Sequence, residues 1–190
     1  MKTYKGNAFR EHKPNFHENS YLAEGAYVIG DVTVGEYSSI WYNCSLRGDD
    51  SSITIGRYTN IQDNTVIHVD DDYPVQIGDY VTVGHGAVIH GCTVEDHCLI
   101  GIKAVLMDGV VVGRGSIVAA GCVVSFGTII PPFSLVAGIP GRVKRTISER
   151  FLVERHKQAV GYKSLWCELY GILPDNDSEK GDLKNYKLKK

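Results

Sequence analysis

No run of 18 apolar residues occurs anywhere in this sequence, so hydropathy offers no candidate for a membrane-spanning helix. The opening stretch Met1-Lys2-Thr3-Tyr4-Lys5-Gly6-Asn7 lacks the apolar centre of a secretory signal, and a cytoplasmic location is therefore expected. Positive charge is not in excess: 20 Lys and Arg stand against 22 Asp and Glu, a net charge of −2. That balance argues against nucleic acid or a polybasic membrane surface as partner. There is no Cys-x-x-Cys pair, and five cysteines is an odd number, so free thiols rather than bridges are expected. Aromatic residues make up only 9% of the chain while glycine reaches 21 of 190 residues, a balance that leans toward repetitive β structure.

What is present is a period of six. Aliphatic residues recur at Leu22, Val28, Val34, Ile40 and Leu46, and after a slip of three residues at Ile55, Ile61 and Ile67. A slip of four, supplied by Val69 to Tyr73, leads to Ile77, Val83 and Ile89. One step is a residue short, and Val94, Ile100, Leu106, Val112, Val118, Val124, Ile130 and Val136 then run unbroken. Six residues suit one short strand and a turn of a β-solenoid and are too few for a helical repeat. The position two before each anchor holds a small or valine-sized residue (Ala26, Ser38, Cys44, Thr59, Ala87, Cys98, Ser116), with Ile53 the exception. Strand residues two apart share a face, so this is a second, narrow inward slot. Glycine often follows the anchor, as at Gly35, Gly56, Gly78, Gly84, Gly101 and Gly113, which fits a tight corner of positive φ. With three sides to a coil, the nineteen anchors predict an all-β solenoid, a triangular prism of about six coils.

Pro140-Gly141 closes the repeats. Between Ser148 and Tyr170 the spacing turns helical through Phe151, Leu152, Ala159, Val160, Leu165, Trp166 and Leu169. Ser148 is the expected N-cap, and Gly171 with Pro174 the stop. The expected organisation is a β-helix over residues 1–145, a helix packed on the prism within 146–173, and a polar mobile tail over 174–190.

Three of the seven histidines fall between residues 68 and 90. His68 follows anchor Ile67 and His90 follows Ile89, three sides later, so both occupy the same corner of successive coils. Adjacent strands lie roughly 4.8 Å apart, a separation at which two imidazoles can share an ion. His85 starts the side that His90 ends, about 16 Å away at roughly 3.3 Å per residue. Metal–nitrogen bonds of about 2.0–2.1 Å exclude His85 from the ion held by His68 and His90 of its own chain. A second copy packed side to corner supplies it, and three such contacts close a ring. The pattern predicts a homotrimer with three interfacial metal sites, each with three histidines and an open coordination position, the mark of a catalytic zinc site. The competing readings are solvated surface histidines, or one histidine acting as general base in acyl transfer.

The runs Leu46-Arg47-Gly48-Asp49 and Asn60-Ile61-Gln62-Asp63, with His68, His85 and His90-Gly91-Cys92, resemble the γ-class carbonic anhydrases over roughly residues 8–145. The resemblance implies a left-handed hexapeptide-repeat β-helix and a zinc-dependent enzyme, with iron(II) or cobalt(II) possible, for the reversible hydration of CO₂ to bicarbonate by a metal-bound hydroxide. It makes His68 and His90 the ligands from one subunit and His85 the ligand from its neighbour. It makes Gln62 the hydrogen-bond partner of the bound water or hydroxide, Arg47 and Asp63 an ion pair at the subunit interface, Asp49 its support, and Tyr162 a residue leaning over the site. The chain departs from the family in its proton-shuttling glutamates: Asp50 takes the first place, and the loop Val69-Asp70-Asp71-Asp72-Tyr73-Pro74 has none. Ser164 also replaces an asparagine near the tyrosine. The alternatives are an acyl-CoA-handling acyltransferase or thioesterase, and a metal-bearing scaffold trimer without turnover. Cys44, Cys92, Cys98 and Cys122 fall in the narrow inward slot and are expected to pack the core, with Cys167 in the helix.

Overall fold

A computed structural model describes residues 12–171. The chain winds as a left-handed parallel β-helix with short strands on three faces, followed by helix α1, Phe151–Tyr170. One face carries seven parallel strands, from Tyr21–Leu22 to Ser134–Ala137, and ends in an antiparallel strand, Arg142–Thr146. Seven of the nineteen anchors line this face, from Leu22 to Val136, while strand Asn15–Phe16 pairs with Thr33 and Val34 and adds a rung to a second face, one repeat before the first anchor. Phe16, partly buried against the core, is the anchor that the six-residue series missed.

The anchors stack in register. Ile40 pairs with Ile61 and Ile61 with Val83, while Leu46 pairs with Ile67 and Ile67 with Ile89. Each of these six side chains is fully buried, and burial of such a side chain stabilises by roughly 1.5–3 kcal/mol. The narrow slot holds Cys44, Cys92, Cys98 and Cys122, all buried among the anchors. Burial pushes the Cys92 and Cys98 thiols up to about 12, which keeps them protonated and inert.

The glycines after the anchors serve a different purpose from the one expected. Gly35, Gly56, Gly78, Gly84, Gly101 and Gly113 do not have positive φ. They are needed because the next coil passes too close: a Cβ on Gly35 would lie 2.7 Å from the Gly56 carbonyl carbon, and one on Gly101 2.7 Å from that of Ala119. Positive φ falls further on, at Tyr37, Tyr58, Tyr80 and His97 on one corner and at Asn43, Asn64 and Gly86 on another.

The three faces differ in cover. One presents Ser39, Asn60 and Thr82 outward, and all three are buried beneath α1. A second presents Thr33, Thr54, Gln76 and Thr93, polar residues in register. The third is open: Tyr27, Ser45, Val66, Val88, Val105 and Val123 form one outward row, with Tyr27 72% and Val66 42% exposed.

α1 starts later than expected. Its N-cap is Arg150, without a side-chain cap, and Ser148 instead accepts from the Arg150 N–H at 3.4 Å. Residues 148–150 form a preceding turn, in which Phe151 N–H bonds to Ser148 O. Gly171 closes the helix in the left-handed conformation, while Pro174 and the tail 174–190 lie outside the described residues. The buried stripe is Leu152, His156, Ala159, Val160, Lys163, Trp166 and Cys167; Leu165 and Leu169 of the expected stripe are exposed. The stripe turned because α1 packs on rings from the solenoid corner, Tyr37, Tyr58 and Tyr80, and on a second cluster of Tyr21 and Trp41. No helix among the described residues is long and apolar enough to cross a membrane.

Candidate metal centre

The edge between the open and polar faces carries a row of side chains fixed by strand register. Arg47, His68 and His90 are Cα partners on three successive coils. Their strands, Ser45–Ile55, Val66–His68 and Val88–His90, end or bend at this edge, so the imidazoles project past the sheet. The two rings stand 4.9 Å apart at 60°, with His68 Nδ1 only 2.9 Å from His90 Nε2. The far nitrogen of each ring meets a carboxylate: Asp49 Oδ1 lies 3.1 Å from His68 Nε2, and Asp108 Oδ1 bonds His90 Nδ1. Arg47 Nη1 donates to Asp49 Oδ2, and Asp50 stands 3.9 Å from His68 Nε2. Burial alone would raise the Asp49 carboxyl, but the Arg47 guanidinium, its own backbone N–H and His68 outweigh burial and hold it below its ordinary range.

Hydrogen counting shows what this row lacks. A neutral imidazole has one N–H, and the carboxylates take the hydrogens on His68 Nε2 and His90 Nδ1. With tautomers assigned from these bonds, the nitrogens that face each other at 2.9 Å both present lone pairs. Two lone pairs at that distance repel unless a cation lies between or beside them. Two nitrogens on one tetrahedral ion sit about 3.3 Å apart, so opening the rings by a few tenths of an ångström accommodates a metal. Carboxylates behind ligating imidazoles are the usual support of such a site. The residues fit a bound metal.

The opposite edge of the open face holds the remaining expected residues. His85, side chain 48% exposed, places Nδ1 2.9 Å from Asp63 Oδ2. Gln62 is nearly buried and donates from Nε2 to Asn60 Oδ1 at 3.0 Å, while Asn60 Nδ2 donates to Thr82 Oγ1 at 3.0 Å. Tyr162 reaches this edge from α1 and packs edge-on against Trp41, ring centroids 5.8 Å apart. Burial raises its hydroxyl, and the Asp63 charge raises it further.

The structure thus divides the expected site residues into two groups: Arg47, Asp49, His68 and His90 on one edge, and Gln62, Asp63, His85 and Tyr162 on the other. Strand Val88–His90 separates His85 from His90. Among the described residues, one set of three acidic or histidine donors lies within 4.8 Å of one another, Asp49, Asp50 and His68, and neither His90 nor His85 is in it. Within one chain Arg47 pairs with Asp49 rather than Asp63, and Asp63 is held by His85. Sequence reasoning missed Asp108. Its signal was available, since it lies two residues past anchor Leu106 at the corner one coil beyond His90.

Comparison with known proteins follows the same lines. Residues 91–125 match the family model described as bacterial transferase hexapeptide (six repeats), which fits the class the fold defines. The chain is 47% identical to a probable carbonic anhydrase of Methanocaldococcus jannaschii, over 78% of this chain and 93% of that protein. It is 45% identical to the mitochondrial gamma carbonic anhydrase 2 of Arabidopsis thaliana, over 80% of this chain and 57% of that protein. Among solved structures, a hexapeptide transferase family protein from Anaplasma phagocytophilum superposes with a TM-score of 0.76 at 38% identity, covering 80% of this chain and 90% of that one. The class is the hexapeptide-repeat β-helix proteins. Within it, the chain belongs to the γ-class carbonic anhydrase family.

Proposed function

We propose that this protein catalyses the reversible hydration of CO₂ to bicarbonate at metal sites completed between the subunits of a homotrimer. The observation that carries the reading is the pair of imidazole nitrogens, His68 Nδ1 and His90 Nε2, turned toward each other at 2.9 Å with carboxylates behind both rings. His68 and His90 hold the metal from one subunit and His85 from its neighbour. Zinc suits three imidazoles, and iron(II) or cobalt(II) fits the same donors. The bound metal supplies Lewis acidity that makes water a nucleophile near neutral pH.

The chain's own groups do the rest. Gln62 shares the His85 edge, and its bond to Asn60 orients the amide, which supports a role in orienting the reacting oxygen where a metal would be held. Tyr162 shields that edge from water. Arg47 on one edge and Asp63 on the other carry opposite charges, with Asp49 supporting Arg47, and pairing of Arg47 with a neighbour's Asp63 across the interface joins His68 to that neighbour's His85. The trimer is supported by the open face, whose row of Tyr27, Val66, Val88, Val105 and Val123 runs between the two groups of site residues. Burying this apolar row against a copy of the chain brings one subunit's His85 edge toward the next subunit's His68–His90 edge.

An acyl-transfer reading draws on the transferase name of the similar Anaplasma protein, yet it needs no second imidazole opposite the first. Metal analysis of protein purified without chelator, followed by stopped-flow CO₂ hydration, separates the two. About one metal per chain, with hydration lost on its removal, is expected. A folded, metal-free trimer that transfers or cleaves acyl groups would sink the proposal.

A further inference from the structure

Every expected residue of the metal edge lies at or before His90 in the chain; Asp108 comes after it, and no family motif quoted above includes it. We propose that Asp108 is the positioning residue of this centre: its carboxylate fixes His90 with Nδ1 protonated and Nε2 bare, facing His68. The inference rests on the reading of His68 and His90 as metal ligands.

Asp108 stands in the turn after strand Val105–Leu106, on the coil beyond His90. The turn is pinned from both sides, since Gly109 N–H bonds to Gly91 O at 2.8 Å and Gly127 N–H to Asp108 O at 2.9 Å. The carboxylate therefore arrives at His90 Nδ1 on a rigid backbone, with its side chain only 18% exposed. The result is a continuous line along the solenoid axis, Asp49, His68, His90, Asp108, with a carboxylate closing each end. The two ends differ. Asp49 shares its charge with Arg47, whereas among the described residues no lysine or arginine pairs with Asp108.

Gly91 makes the approach possible. It has φ +51°, and a Cβ there would collide with Asp108 Oδ1 and lie 2.7 Å from Tyr73 Cβ. Any side chain at 91 would displace the carboxylate from His90 or push Tyr73 away. Gly91 and Asp108 act as one device, in which the glycine clears the space that the carboxylate fills.

Long-range ¹H–¹⁵N NMR on the metal-free protein reads the device directly. His90 should appear as the Nδ1–H tautomer in the wild type and shift toward Nε2–H in Asp108→Ala. In zinc competition against a chromophoric chelator, Asp108→Ala should bind roughly 10–100-fold more weakly. Gly91→Ala should match it. Asp108→Asn, which still accepts from Nδ1–H, should recover most of the loss, and the melting temperature of the metal-free Asn variant should stay near wild type. An Nε2–H tautomer in the wild type overturns the proposal, as does an Asn variant as weak as the alanine one. If Asp108→Ala does not fold, the wild-type tautomer and the Asn variant still decide. His90→Ala distinguishes the two levels: retained zinc there refutes the ligand reading itself. Lost zinc there with unchanged affinity in Asp108→Ala refutes only the role of Asp108.

Discussion

Two pairs of histidines have different chemistry: one stands on a single corner of the solenoid, and the other joins corner residue His97 to His156 of α1. His68 and His90 sit 4.9 Å apart with a carboxylate behind each ring. His97 and His156 sit 5.8 Å apart, nearly parallel, with Tyr80 stacked 4.9 Å from the first and tilted against the second at 4.4 Å. Among the described residues neither ring nitrogen of His97 has a hydrogen-bond partner. Burial, and then the charges of Arg114 and His156, push His97 down to about 4, with Asp96 opposing. Proximity alone does not make a metal pair. The proposed ligands His68 and His90 each have a carboxylate to take the ring hydrogen, an acceptor that His97 lacks among the described residues.

The sharpest way to break that contrast is to remove a ring from each pair. His90→Ala should lose metal by more than the ~100-fold that a supporting residue costs, whereas His97→Ala should keep full metal per chain. Equal metal loss in both variants, measured by elemental analysis, would erase the distinction. The next effect is in stability. His97 has a folded pKa below its ordinary value of about 6.5, so as pH falls the unfolded chain takes up the proton first. Its contribution is fully present above about 6.5 and is lost progressively down to about 4, on the order of 3 kcal/mol. Urea unfolding between pH 7 and 4.5 should show this slope, and His97→Phe, which keeps the stack, should flatten it. A slope unchanged in His97→Phe would place the titration elsewhere.

Asp49→Ala should weaken zinc binding roughly 10–100-fold, because it leaves His68 Nε2–H without its acceptor. The matching change on the packing corner is smaller. Tyr80→Phe removes the bond from Arg57 Nη2 to the Tyr80 hydroxyl, 2.8 Å long, and should cost about 1 kcal/mol of unfolding free energy with metal content unchanged. A loss of metal in Tyr80→Phe would mean that the two corners are coupled through α1.

The fold was legible because a six-residue period repeats nineteen times, and register errors would expose every anchor. The first rung was not legible: Phe16 precedes the aliphatic series and differs in type. The corner glycines were found for the wrong reason, since sequence shows a missing side chain but not whether torsion or a neighbouring coil demands it. Spacing stacked His68 on His90 and set His85 apart, and the strand pairing agrees. Asp108 stayed hidden because its partner is one coil away. The helical stripe shifted for a similar reason. Which side α1 buries is decided by the tyrosines of the solenoid corner, not by its own leucines.

The shared site is tested most directly by complementation. His85→Ala and His68→Ala chains, carrying different tags, are co-expressed, and mixed trimers are isolated through both tags. Each variant alone should bind no metal at these sites. A mixed trimer should recover about one metal, since a single interface in the ring joins an intact His68–His90 pair to an intact His85. Mixed trimers without metal, or full metal in His85→Ala alone, would contradict a site built from two subunits.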